Sequence, residues 1–185
     1  MRWEQLFADL EAQSSALDLR QRAGEVEERS RAELAHIALV DRLQPSVGTV
    51  LTIRAAGNLS VSGLVGRVGP DWMLIEEGAN REAVVALPAI LVISGLGRWS
   101  AAPEGNSQVQ RRLGLRSALR AIARDRSAVR LHLIDGSTVE GTLDRVGADY
   151  VEVAAHAVGE LRRRRDVRDV HVVPLAALSV LRRQL

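Results

Sequence analysis

Ser62–Glu77 reads SGLVGRVGPDWMLIEE, and Glu140–Ala155 reads EGTLDRVGADYVEVAA. Laid over each other without a gap, they share Gly63 with Gly141, Arg67 with Arg145, Val68 with Val146, Gly69 with Gly147 and Asp71 with Asp149. Trp72 falls opposite Tyr150, an aromatic pair in a 185-residue chain that holds only five aromatics. Further along, Val85-Ala86-Leu87-Pro88-Ala89-Ile90 corresponds to Val173-Pro174-Leu175-Ala176-Ala177-Leu178. A repeat of this length marks two related domains, because solenoid units recur every 20–50 residues or so.

The strand pattern is clearest in the second copy. Val129, Leu131 and Leu133 alternate with Arg130 and His132, as a half-buried strand requires. Asp135-Gly136 follows, a two-residue hairpin signal that predicts positive φ at both turn positions. The return strand sets Val139, Gly141 and Leu143 on one face, and an inward glycine lets a long strand bend sharply. Arg145 to Ala148 turns the chain into a third strand, Tyr150 to Ala154. Val170 to Val173 and Leu178 to Leu181 supply a fourth and a fifth. In the first copy, Gly57-Asn58 stands where the second has Asp135-Gly136.

Each set of strands has a helical pattern ahead of it. Val26 to Leu43 places Leu34, Ile37, Val40 and Leu43 at helical spacing, and Pro45 ends the run. Gln110 to Arg124 does the same with Leu115, Ala118, Leu119 and Ile122. An additional helix, Trp3 to Arg20, carries Trp3, Leu6, Phe7, Leu10 and Leu17 on one face. Gly24 either separates it from the next helix or sits inside one long helix. The expected fold is therefore α+β. Two tandem five-stranded antiparallel barrels are each preceded by a helix, with one extra helix at the N-terminus. The expected segments are the N-terminal helix over 1–24, a helix and barrel over 25–97, a basic linker and helix over 98–128, and a second barrel over 129–185.

Composition narrows the function classes. No stretch approaches the roughly 18 uninterrupted apolar residues of a membrane helix, and MRWEQLFADL carries acids among its apolar residues. Cysteine is absent, which removes disulfides, thiolate metal sites and cysteine nucleophiles together. The expected compartment is the cytoplasm. All 25 basic residues are arginine, and the net charge of +2 hides an uneven distribution. Residues 98–128 hold seven arginines against two acids, while residues 1–47 hold six against nine.

Leu131-His132-Leu133-Ile134-Asp135-Gly136-Ser137-Thr138-Val139-Glu140-Gly141-Thr142-Leu143 resembles the first motif of the Sm/LSm family, the small SH3-like barrels whose bacterial representative is the Hfq RNA chaperone. The resemblance lies in a hydrophobic strand, Asp-Gly and a glycine five positions on; Val172 to Leu181 has the hydrophobic pattern of the second motif. It covers roughly residues 26–94 and 112–183, and it implies RNA binding by barrels joined edge to edge. The family's RNA-reading residues do not carry over. Its base-stacking position falls on Asp149 and its uracil-reading asparagine on Val151, with Asp71 and Met73 in the first copy. Pro174-Leu175 and Ala86-Leu87 replace the Arg-Gly of the second motif. An acid repels phosphate and valine cannot hydrogen-bond a base edge, so the resemblance implies a dead uridine site.

What remains is arginine. Arg112, Arg116, Arg120 and Arg124 follow at i+4 steps and form a ridge roughly 18 Å long, with no acid three or four residues away within that helix. The functional reading is a ligand phosphate; the plain alternatives are a solvated face or pairing with Glu25, Glu27, Glu28 and Glu33. Arg162, Arg163, Arg164 and Arg165 lie in a ten-residue insertion relative to the first copy, either a second phosphate contact or a solvated hairpin tip. Trp72 and Tyr150 read as packing or interface residues. Only one of Trp72 and Met73 can face the core, so something else must cover one large side chain per repeat.

Enzymatic chemistry has no support in the pattern. His36, His132, His156 and His171 lack metal-ligand spacing and read as surface residues, and no G-x-S-x-G elbow or phosphate loop occurs. No catalytic residue, metal ligand or cofactor is expected. Two classes of function remain. One is a non-enzymatic regulator that binds RNA or DNA backbone through its arginines. The other is a protein-interaction module that forms homo-oligomers through barrel edge strands and uses the N-terminal helix as a protein contact.

Overall fold

Burial alternates along Val50–Ala55 and over the first four residues of Ala128–Leu133, the opening strand of each repeat. The computed structural model describes residues 34–78, 81–101, 113–155 and 169–183. The chain divides into two compact units, residues 1–38 and Leu39–Leu185. Within the first, the described residues show one turn contact, in which Ile37 N–H donates to Leu34 O at 3.2 Å.

The second unit opens with a short helix α1 (Leu39–Leu43) and a 3-10 turn through Pro45. Five strands follow: β1 (Val50–Ala55), β2 (Leu59–Val68), β3 (Trp72–Glu76), β4 (Glu82–Ala86) and β5 (Ile90–Ser94). Helix α2 (Leu115–Asp125) precedes β6 (Ala128–Leu133), β7 (Thr138–Val146), β8 (Tyr150–Ala155), β9 (Asp169–Pro174) and β10 (Leu178–Arg183). Matching 3-10 turns, Leu87–Ala89 and Leu175–Ala177, lead into β5 and β10.

The strands do not close into two barrels. They form one ten-stranded antiparallel sheet in the order β5-β1-β2-β3-β4-β10-β6-β7-β8-β9. The expectation of two barrels, each with its own helix, is overturned by the seam at its centre. There β4 pairs with β10, with Val85 opposite Val180, Val84 opposite Leu181 and Ala83 opposite Arg182. An unpaired strand edge leaves backbone N–H and C=O groups without partners. The edge of β4 finds its partners in the other repeat, and the two sets of strands fuse. The described helices also differ from the expected ones. Ahead of the first set only Leu39–Leu43 is a helix of the second unit, and the expected helix over Trp3 to Arg20 lies outside the described residues.

The turns show why the two repeats differ in detail. Gly57 (φ 82°) and Asn58 (φ 57°) both take the left-handed conformation. At the second hairpin only Gly136 does (φ 89°), because Asp135 turns its carboxylate onto the Ser137 N–H at 2.9 Å and the Ser137 hydroxyl at 2.6 Å.

Both cores draw residues from both repeats. Trp72, Val84, Ala86 and Ala89 pack with Leu115, Leu119, Val129, Leu131, Val151 and Leu181, while Val180 enters the core built on Leu43, Ile53, Met73 and Val85. Ser179 is buried and donates its hydroxyl to Ala56 O at 2.7 Å. The seam is an interior.

Candidate nucleic-acid interface

Helix α2 is set in place by groups outside it. Its N-cap, Gly114, has no side chain, and the cap comes from the first repeat: Asp71 Oδ1 accepts the Leu115 N–H at 2.6 Å. Beside it, Trp72 Nε1–H donates to Leu113 O at 2.7 Å. The cap starts the helix at Leu115, inside the expected Gln110 to Arg124 run, of which residues 110–112 lie outside the described residues, and Arg126 ends it with φ 52°. Leu115 and Leu119 are buried below, which turns Arg116, Arg120 and Arg124 to solvent.

The sequence-derived candidates separate in space. Arg120 and Arg124 line one open groove with Arg145, Asp144, Gly147 and Tyr150. Arg116 lines a different cavity, with Asp71, Pro88, Ile134 and Leu175. Among the described residues, Arg116, Arg120 and Arg124 form no ion pair. Arg145 is mostly exposed and reaches Glu152 at only 3.8 Å. Arg112, Arg162, Arg163, Arg164 and Arg165 lie outside the described residues.

Sequence reading missed Arg145 and the use of Tyr150. The signal was present, since Arg145 repeats Arg67, but a single arginine on a strand carries no periodicity. Val151 and Met73, on which the resemblance set the uracil-reading position, are both fully buried.

A second polar cluster lies on the seam. Arg182 grips Glu77 with two bonds, Nε to Oε2 at 2.8 Å and Nη2 to Oε1 at 2.9 Å. Its Nη1 meets His132 Nε2 at 3.2 Å, and its Nη2 also donates to Ser60 O at 3.3 Å. Neighbouring Arg130 bonds Glu140 at 2.5 Å. His132 is therefore half-buried rather than the surface residue its strand position implied. Burial and then the charges of Arg182 and Arg130 lower its pKa, outweighing the opposite pull of Glu77 and Glu140.

A histidine that stays neutral in the folded state makes stability depend on pH. Above its ordinary value near 6.5, both states are neutral and the seam is at full strength. Below that value the unfolded chain takes up the proton first, so stability falls with falling pH until folded His132 also protonates. Melting curves followed downward from neutral pH should show this decline, and the substitution His132→Gln should flatten it.

Among the described residues, no group of three or more His, Cys, Asp or Glu could hold a metal ion. No described helix is long and apolar enough to cross a membrane. The chain matches no protein-family model and no curated protein.

Proposed function

We propose that this chain is a non-enzymatic, cytoplasmic binder of nucleic-acid backbone, RNA foremost, acting through arginine rather than a base-reading pocket. The observation that carries the proposal is the open groove lined by Arg120, Arg124, Arg145 and Tyr150. A groove with three arginines against one carboxylate, Asp144, and an aromatic wall suits single strands, whose phosphates follow the positive charge while the bases stack. The similarity of Leu131–Leu143 to an Sm motif supports the choice of RNA, and Arg162 to Arg165 would add phosphate contacts.

Binding by phosphate contacts must weaken with salt. For single strands the slope of log K against log salt is about −0.7 per contact, so changing the groove residues Arg120, Arg124 and Arg145 together to Gln should flatten it by about 2. The same variant should bind labelled mixed-sequence RNA more than about tenfold weaker at low salt. It should melt like the parent, because the side chains are exposed. Equal binding by parent and variant would remove the groove from the function.

The protein-interaction reading is favoured by a separate observation. Among the described residues the sheet ends at β5 and β9, and Leu91, Val92 and Val172 stand exposed on them. Exposed apolar edges of this kind invite another strand.

A further inference from the structure

Pairing across the sheet sets one row of side chains on the face that carries α2. Arg67 on β2 faces Leu74 on β3, Leu74 faces Val84 on β4, and Val84 faces Leu181 on β10. Residues directly opposite in an antiparallel ladder point to the same side. Beyond Leu181 the row continues to Leu131, which shares a core with Leu115 and Leu119 of α2. Toward Arg67 the helix falls short of the sheet. Ser117, Ala118 and Ala121 on its facing flank are too small to fill the space, and a groove of about 460 Å³ stays open. That volume lies in the range of small-molecule sites.

The second copy of the repeat has no such floor. Arg145 and Glu152 stand where the first copy has Arg67 and Leu74, and they form a charge contact at 3.8 Å between β7 and β8. In the first copy leucine takes the acid's place. The exchange extends the apolar row and deprives Arg67 of the carboxylate that would answer it. Arg67 and Arg124 both border the groove, both are exposed, and neither forms an ion pair among the described residues. Arg183, on the same rim, is held by Asp125 at 3.1 Å. Glu82 is the other acid there, so the rim sets two open cations against one carboxylate.

We propose that this groove binds an unbranched carboxylic acid of medium chain length, with its head on Arg67 and its tail along Leu74, Val84 and Leu181. Neighbouring strands lie about 4.8 Å apart, so the three steps from β2 to β10 give a floor about 14 Å long. A narrow apolar strip with a cation at one end matches a linear amphiphile. The planar guanidinium of Arg67 suits the head, because it can donate two parallel bonds to one carboxylate. Arg120 and Arg145 border the groove on the other flank of α2, and only Leu113, Ser117 and Arg124 border both. The acid site is therefore independent of the RNA reading.

The test is calorimetric titration of the full chain, stripped of nucleic acid at high salt, with sodium decanoate. One decanoate should bind per chain. Octanoate, two methylenes shorter, should bind at least about fivefold weaker, since each fully buried methylene is worth a factor of about four. Arg67→Gln should weaken both acids at least about fivefold and leave their ratio unchanged, because it removes the head contact and keeps the floor. Ala121→Trp, at an exposed position, should fill the groove and abolish binding. Ala121→Glu, which sets an acid against the ligand, repeats the measurement if the Trp variant loses its circular dichroism signature. A parent that does not bind decanoate, equal affinities for the two acids, or parental binding in the Arg67 or Ala121 variants would each overturn the proposal. Arg67 and Ala121 lie outside the groove assigned to RNA, so the two readings fail separately.

Discussion

Trp72→Ala should destabilise the protein by about 3–5 kcal/mol, the range for removing a buried aromatic. The ring is buried in the core shared by the two repeats, and its Nε1–H satisfies Leu113 O at 2.7 Å. Truncation leaves a cavity against α2 and an orphaned carbonyl, two costs that add. The start of α2 should loosen with it, visible as faster amide exchange over Leu115–Leu119. Tyr150→Ala, the same change at the repeated position, should cost under about 1 kcal/mol, because that ring is not enclosed in the single chain. Denaturant unfolding of the two variants side by side checks both values. Equal losses would mean that α2 does not cover Trp72 in the way described.

Gly63→Ala should cost about 3 kcal/mol, at the upper end of the range for overpacking. A Cβ at Gly63 would run into the Glu76 carbonyl oxygen and lie 2.7 Å from its carbonyl carbon and 2.9 Å from Ile75 Cγ2. Backbone on the paired strand cannot step aside without breaking the β2–β3 ladder, where Leu64 faces Glu76. Three residues on, Gly66→Ala should be nearly silent. Its new atom would meet Glu76 Oε1 at 2.8 Å, the free end of a side chain that can rotate away. Urea midpoints for the pair decide the matter. A silent Gly63→Ala would show that β2 and β3 are less closely pressed than the structure has them.

The elements themselves were legible in the sequence because their causes are local. Alternation in Val129–Leu133, the glycines at the hairpins and the Leu115–Leu119 spacing each depend on neighbours a few residues away. The fold class was not legible, since it turns on β4 meeting β10, strands about a hundred residues apart whose ladder is made of backbone alone. One trace existed. Glu77 and Arg182 break the repeat, with Ala155 and Ser94 in their places, and they are the pair that locks the seam. A charge present in one copy and missing from the other marks a contact that only one copy makes.

For the candidate site, the i+4 spacing of Arg116, Arg120 and Arg124 revealed a shared helix face, and they do share one. It could not reveal that Arg116 opens on a different cavity, or that Arg145 arrives from β7 to complete the groove. Helical periodicity places residues on a face. What lies opposite that face is decided by the sheet.

The position of β10 has one more consequence. The strand furthest along the sequence sits in the middle of the sheet, between β4 and β6, and supplies Val180 to one core and Leu178 and Leu181 to the other. Neither core can close before residues 178–183 arrive. Folding must therefore wait on contacts that are distant in sequence, the kind that are slow to form. Two repeats that look interchangeable on paper have given up their independence: they fold, and come apart, as one body.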